Sequence, residues 1–465
     1  MKHWHIAGIC GIGMSALAQF ARACDIEVSG SDRALENCEN AALKAMLQAQ
    51  GITLYPQDGS RFSSGNPPCD AVVYSTAIEE SNPDFAASQG ILRLHRATAL
   101  KELIRNRCMA GKVSVAVAGT CGKTSTTAII SEALANAGTD PECINGGMIK
   151  AFKNDIFPGN YRRGGGAIVF EADESDKSLL EFHPDYALVL NIGTDHYPKA
   201  ELAAMFAQFV NQAQCGAVLA LDVWELIRDD LRKDLKIITF SGQPGRGDVA
   251  VEDYRNLDGK SMARFSCLND FQLLASPGMH TALNTAAAIA LLKLMGYGSE
   301  EALKFSLNCC GVARRFDFKG RTSAGAAVYD DYAHNPEKLA TIIKAAQETA
   351  GITGRVFTFF QPHGYGPFGF MKDELGRILS RTLRPQDKFF LAEPFYAGGT
   401  SSFSPHAAEV ASGWEKAYPQ LPIELAGSRD ELKNKLLAAV QKGDIILITG
   451  ARDNTLSLFA ENLCS

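Results

Sequence analysis

The chain has 465 residues, 46% of them hydrophobic, with 46 Lys and Arg against 52 Asp and Glu, a formal net charge of −6. That length predicts about three domains, each able to bury a core of its own. The acidic balance argues against nucleic acid or an anionic membrane surface as a partner, and no apolar run nears the ~20 residues that would span a bilayer.

Residues 3–9 read as a strand entering the glycine turn Gly8-Ile9-Cys10-Gly11-Ile12-Gly13. A helix over 14–24 follows, then a strand over 26–29 ending in Gly30-Ser31-Asp32. Strand, glycine turn, helix, strand, acid is the grammar of a nucleotide-binding βαβ unit. The turn reads G-x-x-G-x-G rather than the G-x-G-x-x-G of dinucleotide dehydrogenases, which disfavours a nicotinamide cofactor, yet its small residues can admit a diphosphate. A strand over 71–74 and a helix over 97–105 complete the block. The apolar pattern lapses over 106–112, so the first domain is taken as 1–109 and the lapse as a hinge.

A β-rich run over 113–118 then leads into Gly119-Thr120-Cys121-Gly122-Lys123-Thr124-Ser125 and a helix to about residue 137. Converging backbone N–H groups, a Lys for the β/γ charge and a hydroxyl for Mg²⁺ are what a phosphate loop needs. Val117 occupies the first glycine position of the full G-x-x-x-x-G-K-[ST] pattern, and a plain helix-capping turn is the competing reading. Two more strands end in polar residues. Residues 167–170 run into Glu171-Ala172-Asp173-Glu174-Ser175-Asp176, and 187–192 into Gly193-Thr194-Asp195-His196. Each alone could be a solvated loop or a structural histidine. A Lys-Thr turn, an acid and a His at three strand ends together predict one metal–phosphate centre. Apolar residues between 201 and 214 fit one helical face, and this domain is taken as 110–320.

The last block, 321–465, alternates strands over 326–329, 355–360, 388–392 and 444–449 with helices near 336–350, 371–383, 405–417 and 429–441. That order predicts a mostly parallel sheet covered on both faces. Asp330-Asp331, Gln361-Pro362-His363 and Gly450-Ala451-Arg452-Asp453 sit at strand ends, where such sheets bind ligands. A second hinge is expected at 318–325. The twelve cysteines form no C-x-x-C pair, so reduced thiols in a cytoplasmic protein are expected.

The ordered set of these motifs, with Ser75-Thr76-Ala77-Ile78, Asn145-Gly146-Gly147, Pro277-Gly278-Met279-His280-Thr281-Ala282-Leu283-Asn284, Arg314-Arg315-Phe316-Asp317 and Asp330-Asp331-Tyr332-Ala333-His334, spans nearly the whole chain. It resembles the Mur ligases, ATP-dependent peptide ligases of peptidoglycan synthesis, and most of all their branch that acts on UDP-N-acetylmuramate. The resemblance implies an α/β protein of three domains: a Rossmann-like UDP-binding domain, a central P-loop ATPase-like domain and a C-terminal Rossmann-like domain for the amine substrate. It implies transfer of the ATP γ-phosphoryl to the lactyl carboxylate, which gives an acyl phosphate that the amine of an L-amino acid, L-alanine first, can attack.

By the same resemblance Lys123, Glu171, His196 and Arg315 are the catalytic set. Gly119, Thr120, Cys121, Gly122, Lys123, Thr124, Ser125, His280, Asn284, Arg315 and Asp331 meet ATP, while Thr124, Glu171 and His196 hold Mg²⁺, with two ions expected. Gly8, Cys10, Gly11, Gly13, Met14, Ser31, Asp32, Ser75, Thr76, Asn145, Glu174 and Ser175 line the UDP-sugar site, and Tyr332, His334 and His363 the amino-acid site. A monomer or weak dimer is expected.

Some ligases of this kind carry a carbamylated lysine after the His; residues 200–214 hold no lysine, and none is expected. Cys10 stands where the branch has Gly and Cys121 where it has His. A thiol at a helix N-terminus beside Lys123 is expected to be acidic and reactive. Gly364-Tyr365-Gly366 replace the arginines that follow His363 in the alanine-adding enzymes, and Arg452 is a substitute source of positive charge. Three competing readings stay open: a murein-peptide recycling ligase that takes a preformed peptide, a nucleotide-binding protein without turnover, and a dehydrogenase.

Overall fold

The computed structural model describes residues 2–174, 177–193, 197–257, 260–396 and 403–464. Among these residues the strands form three sheets. No helix is long and apolar enough to cross a membrane.

The first sheet contains β1 (His3–Ala7), β2 (Glu27–Ser31), β3 (Thr53–Tyr55), β4 (Ala71–Tyr74) and β5 (Leu92–His95) in the order β3-β2-β1-β4-β5. Every pairing is parallel. Helices α1 (Ile12–Ala23), α2 (Ala41–Ala49), α3 (Pro83–Ala87) and α4 (Arg96–Met109) accompany it. The strand period of two puts His3 and His5 of β1 on the same face as Ser29 and Ser31 of β2. All four are buried, and they bond with Arg61 and Asp84 in one enclosed polar network. Ser31 donates to Asp84 and lies 3.2 Å from the His5 ring. Its expected place in the UDP-sugar site is therefore corrected: the side chain is turned inward.

The second sheet contains β6 (Ser114–Ala118), β7 (Glu142–Ile144), β8 (Tyr161–Arg162), β9 (Ile168–Glu171), β10 (Tyr186–Val189), β11 (Gly216–Ala220), β12 (Ile237–Ser241), β13 (Val249–Leu257), β14 (Lys260–Phe265) and β15 (Gln272–Leu273). Their order is β15-β14-β13-β12-β11-β10-β6-β9-β7-β8. Every residue of β6 and β11 is buried, the continuous apolar run that a parallel strand covered on both faces requires. Helices α5 (Lys123–Asn136), α6 (Lys199–Asn211), α7 (Leu221–Ile227), α8 (Met279–Leu294) and α9 (Ser299–Leu307) belong to this region.

Met1–Asp253, Ala263–Ala275 and Ala282–Val312 form one compact unit that contains the first sheet and most of the second. The hinge expected at 106–112 is corrected here. Fully buried Glu142 of β7 takes Arg107 at 3.2 Å and Lys112 at 2.6 Å, and Tyr161 donates to it at 2.7 Å. Arg107 also reaches the Ala23 carbonyl at 2.9 Å. Two cations on one buried carboxylate tie the segment down.

Tyr254–Met262, Ser276–Thr281 and Ala313–Ser465 form the other unit. Its sheet has β16 (Asp317–Arg321), β17 (Ala327–Asp331), β18 (Val356–Gln361), β19 (Lys388–Leu391), β20 (Ile423–Leu425) and β21 (Ile445–Gly450), ordered β16-β17-β21-β18-β19-β20. β16 runs antiparallel to β17 and the rest pair in parallel. The second expected hinge, 318–325, lies in this β16–β17 hairpin and is corrected too. Helices α10 (Pro336–Ala350), α11 (Tyr365–Thr382), α12 (Ala407–Ala417), α13 (Arg429–Ala439) and α14 (Thr455–Glu461) flank the sheet. Along β21, Ile445 and Leu447 enter one core with Leu339, Leu375 and Trp414, while Ile446 and Ile448 enter the other with Leu436 and Leu456. That alternation is the double coverage the sequence predicts.

Candidate active site

The phosphate loop joins the carboxyl end of β6 to the start of α5. Gly119 (φ +134°) and Gly122 (φ +88°) hold conformations that L side chains rarely adopt. A Cβ on Gly119 would lie 3.1 Å from the Leu190 nitrogen, and one on Gly122 would lie 3.0 Å from Asn284 Oδ1. The Asn191 amide clamps the loop from the next strand end: its Oδ1 accepts the Cys121 N–H and its Nδ2 donates to the Cys121 carbonyl, each at 2.9 Å. The Thr120 hydroxyl accepts Gly193 N–H at 2.8 Å. Ser125 follows on α5, half-buried.

Lys123 folds back over the loop, donating to the Gly119 carbonyl at 2.8 Å and to Glu174 Oε2 at 2.5 Å, with Asp173 Oδ1 4.0 Å away. Burial opposes its charge, but Glu174 and then Asp173 outweigh that and hold the ammonium above its ordinary range. Glu174, expected at the UDP-sugar, is here the partner of the phosphate-loop lysine.

Thr124 Oγ1 donates to Glu171 Oε2 at 3.0 Å, and Glu171 Oε1 accepts Gly146 N–H at 2.5 Å. Register explains the meeting, because Glu171 of β9 pairs with Val117 of β6. A hydroxyl and a carboxylate this close are hard oxygen donors suited to Mg²⁺. No group of three His, Cys, Asp or Glu side chains gathers for a metal among the described residues. His196 and Ser175 lie outside the described residues.

The N-terminal glycine turn is held by Ser31, whose carbonyl accepts Gly8 N–H at 2.8 Å and Ile9 N–H at 3.1 Å. Asp32 accepts Cys10 N–H at 2.9 Å and Ala34 N–H at 2.8 Å, so its carboxylate shapes the turn. Burial, then Asp32, pushes the Cys10 thiol up to about 12, which leaves it unreactive. Met14 is buried in the first turn of α1. Ser75 and Thr76 lie just beyond β4, Thr76 exposed, and Ala77 N–H reaches Ser75 Oγ at 3.4 Å.

An open cleft in the first unit is lined by Gly13, Leu17 and Arg96 together with Lys123, Asn145, Gly146, Glu171 and Asp173. The glycine turn and the phosphate loop therefore face one space. Asn145 is 2% exposed, and its Oδ1 has no hydrogen-bond partner while Nδ2 donates to the Gly147 carbonyl at 3.1 Å. A buried acceptor left open costs free energy until a donor meets it. Arg96 escaped the sequence reading; its available signal was a cation on the first residue of a helix, where the macrodipole disfavours one.

In the second unit, the ends of β17, β18 and β21 bring Asp331, Tyr332, His334, His363 and Arg452 into one region, since Gln361 pairs with Gly450 and Asp331 with Thr449. Burial pushes the Asp331 carboxyl up to about 6, although it accepts Phe316 and Ala333 N–H groups at 2.7 Å each. The Arg315 guanidinium lies 5.3 Å from the Tyr332 ring centre. His334 Nδ1 is 2.9 Å from the Tyr332 carbonyl, and its ring meets His363 edge-on at 5.0 Å. His280 also belongs to this unit, and burial holds it down at about 4.

Burial, aided by Lys338, pushes His334 down to about 3, and burial with Arg452 and Lys338 pushes His363 down to about 4. Both rings are thus neutral when folded and charge more readily when unfolded. Their contribution is present above about pH 6.5 and is lost as pH falls through the folded values. Urea denaturation is expected to show stability falling between about pH 6.5 and pH 4, with a smaller fall in a His334→Gln/His363→Gln double variant. An equal fall in both proteins would contradict this.

Family models describe three successive stretches: "Mur ligase family, catalytic domain" over residues 3–107, "Mur ligase middle domain" over 117–292, and "Mur ligase, glutamate ligase domain" over 314–452. A UDP-N-acetylmuramate–L-alanine ligase of Chelativorans sp. is 32% identical over 99% of this chain and 98% of its own length. The crystal structure of a UDP-N-acetylmuramate–alanine ligase from Thermotoga maritima aligns with a TM-score of 0.79 at 24% identity, covering 99% of each chain. A murein peptide ligase from Psychrobacter arcticus aligns with a TM-score of 0.68 at 21% identity, covering 100% of this chain and 98% of its own. The two structures share the fold.

Proposed function

The chain belongs to the Mur ligase family, and from that premise we propose that it is an ATP-dependent ligase joining L-alanine to the lactyl carboxylate of UDP-N-acetylmuramate. The observation that carries the reading is the shared cleft, whose lining includes Gly13 of the glycine turn and Lys123 and Glu171 of the lysine–threonine–glutamate phosphate site.

A carboxylate resists an amine because it is electron-rich and its oxygen leaves poorly. Phosphorylation by ATP makes an acyl phosphate, whose carbonyl the amine attacks as phosphate departs. The protein's part is positioning and charge stabilisation. Lys123 exchanges Glu174 for the β/γ-phosphates, and the α5 N-terminus and loop N–H groups surround them. Thr124 and Glu171, with His196, would hold Mg²⁺, which supplies positive charge to the phosphoryl oxygens; a second ion is assigned to His196. The open Oδ1 of Asn145 takes a donor from the sugar nucleotide. Asn284, beside Gly122, and His280 are assigned to the adenine, with Arg315 and Asp331 at the ATP. Tyr332, His334 and His363 are assigned to the amino acid. The domains on this reading are 1–109, 110–320 and 321–465, in a cytoplasmic monomer or weak dimer.

A second reading is ligation of a preformed peptide: Gly364 and Gly366 follow His363, and a Cβ on Gly366, which is exposed, would meet nothing within 4 Å. Purified protein with UDP-N-acetylmuramate, ATP and Mg²⁺ is expected to release phosphate with L-alanine and much less with other L-amino acids. Release only with L-Ala-D-Glu-containing peptides would replace the first reading by the second, and no release with either would overturn both.

A further inference from the structure

Arg96 is a cation in a place that ordinary folding does not reward. It is the first residue of α4, where the helix dipole opposes positive charge. Its partner is Asp173, with Nη2 3.5 Å from Oδ2 and both side chains about one-third exposed, a pairing too loose and wet to contribute much stability. The other nitrogen, Nη1, lies against the glycine turn: a methyl on Gly13 would sit 3.1 Å from it. Gly13 thus leaves open the space the guanidinium occupies. The turn itself, Gly8 to Ser15, has no basic side chain, and α1 starts at Ile12 with Gly11 before it as a cap that has no side chain to offer and with no acid in its first turn. The Gly8, Ile9, Cys10 and Gly11 N–H groups are bonded within the chain, so what faces a ligand is the N-terminus of α1 with its partial positive charge, and no full positive charge to set against a dianion.

We propose that Arg96 is the counter-ion of that turn, binding the diphosphate of the sugar nucleotide while Asp173 holds its guanidinium in the cleft. This deepens the ligase reading and rests on it. The planar fork suits bidentate contact with phosphate oxygens, which a lysine's point charge would not reproduce. Asp173 lies within reach of both Arg96 and Lys123, the one at 3.5 Å and the other at 4.0 Å.

Calorimetric titration of the full chain with UDP and with uridine tests this. Arg96→Ala is expected to weaken UDP about ten- to a hundredfold, the scale of a charge-assisted contact, and to leave uridine unchanged. Arg96→Lys, which keeps the charge and serves if the alanine variant folds poorly, is expected to recover only part of the loss. Equal weakening of UDP and uridine would reduce Arg96 to a structural role, and unchanged UDP affinity would overturn the proposal outright. A loss confined to UDP-N-acetylmuramate, with UDP unaffected, would overturn it in favour of the lactyl carboxylate. If the wild-type protein binds neither UDP nor UDP-N-acetylmuramate, the ligase reading fails instead.

Discussion

Replacing Lys123 by alanine is expected to lower acceptor-dependent phosphate release by at least about 10³-fold, or some 4 kcal/mol of transition-state stabilisation, while UDP affinity changes less than about twofold. The lost ammonium lies over the phosphate loop, held by the Gly119 carbonyl and Glu174. Its removal leaves Glu171, Asp173 and Glu174 facing the space meant for a polyphosphate, so repulsion adds to the lost attraction. Like charges gathered in a partly desolvated cleft are costly because little water screens them. Gly13 of the glycine turn lines the same cleft, but the turn keeps its own partners, Ser31 and Asp32. Single-turnover phosphate release and UDP titration separate the two effects. Equal loss of both would mean that the glycine turn and the phosphate loop are not distinct sites.

A second large effect is expected where no ligand binds. Glu142→Ala should destabilise the protein by about 3–5 kcal/mol, the usual cost of breaking a buried ion pair from one side, and lower its melting temperature by on the order of 10 °C. Glu142 is fully buried and receives Tyr161, Arg107 and Lys112. Truncation strands two cations and a phenol that have little access to water. Lys112 retains the Gly164 carbonyl and Arg107 the Ala23 carbonyl, which limits the damage but leaves both charges uncompensated. Glu142→Gln keeps the shape and part of the hydrogen bonding and should lose less. Limited proteolysis should cut near 106–112 faster in Glu142→Ala than in the wild type; unchanged melting and cleavage would show that the segment is held by packing alone.

Those residues mark what a one-dimensional reading misses. The lapse in apolar pattern over 106–112 looks like a linker because Arg107 and Lys112 are polar, and polarity without a partner reads as exposure. Their partner is a glutamate some thirty residues on, on β7, and nothing local announces that a carboxylate there is fully enclosed. Ser31 fails in the same way. It follows a glycine at a strand end, as a ligand contact should, but the period of two sends its side chain to the face shared with His5, and Asp84 receives it.

The sequence by itself determined the motifs that depend on neighbouring residues: the glycine turns, the Lys-Thr loop, the apolar strands that precede them, and the family to which their order belongs. Turn chemistry and side-chain period act over a few residues, so local spacing records them. Only the tertiary structure decided which charges meet. Strand order β10-β6-β9 sets Asn191, the phosphate loop and Glu171 side by side, gives Lys123 to Glu174, and brings Arg96 to Gly13 from more than eighty residues away. Electrostatic pairing depends on distance through space, and that distance exists only once the sheets have formed.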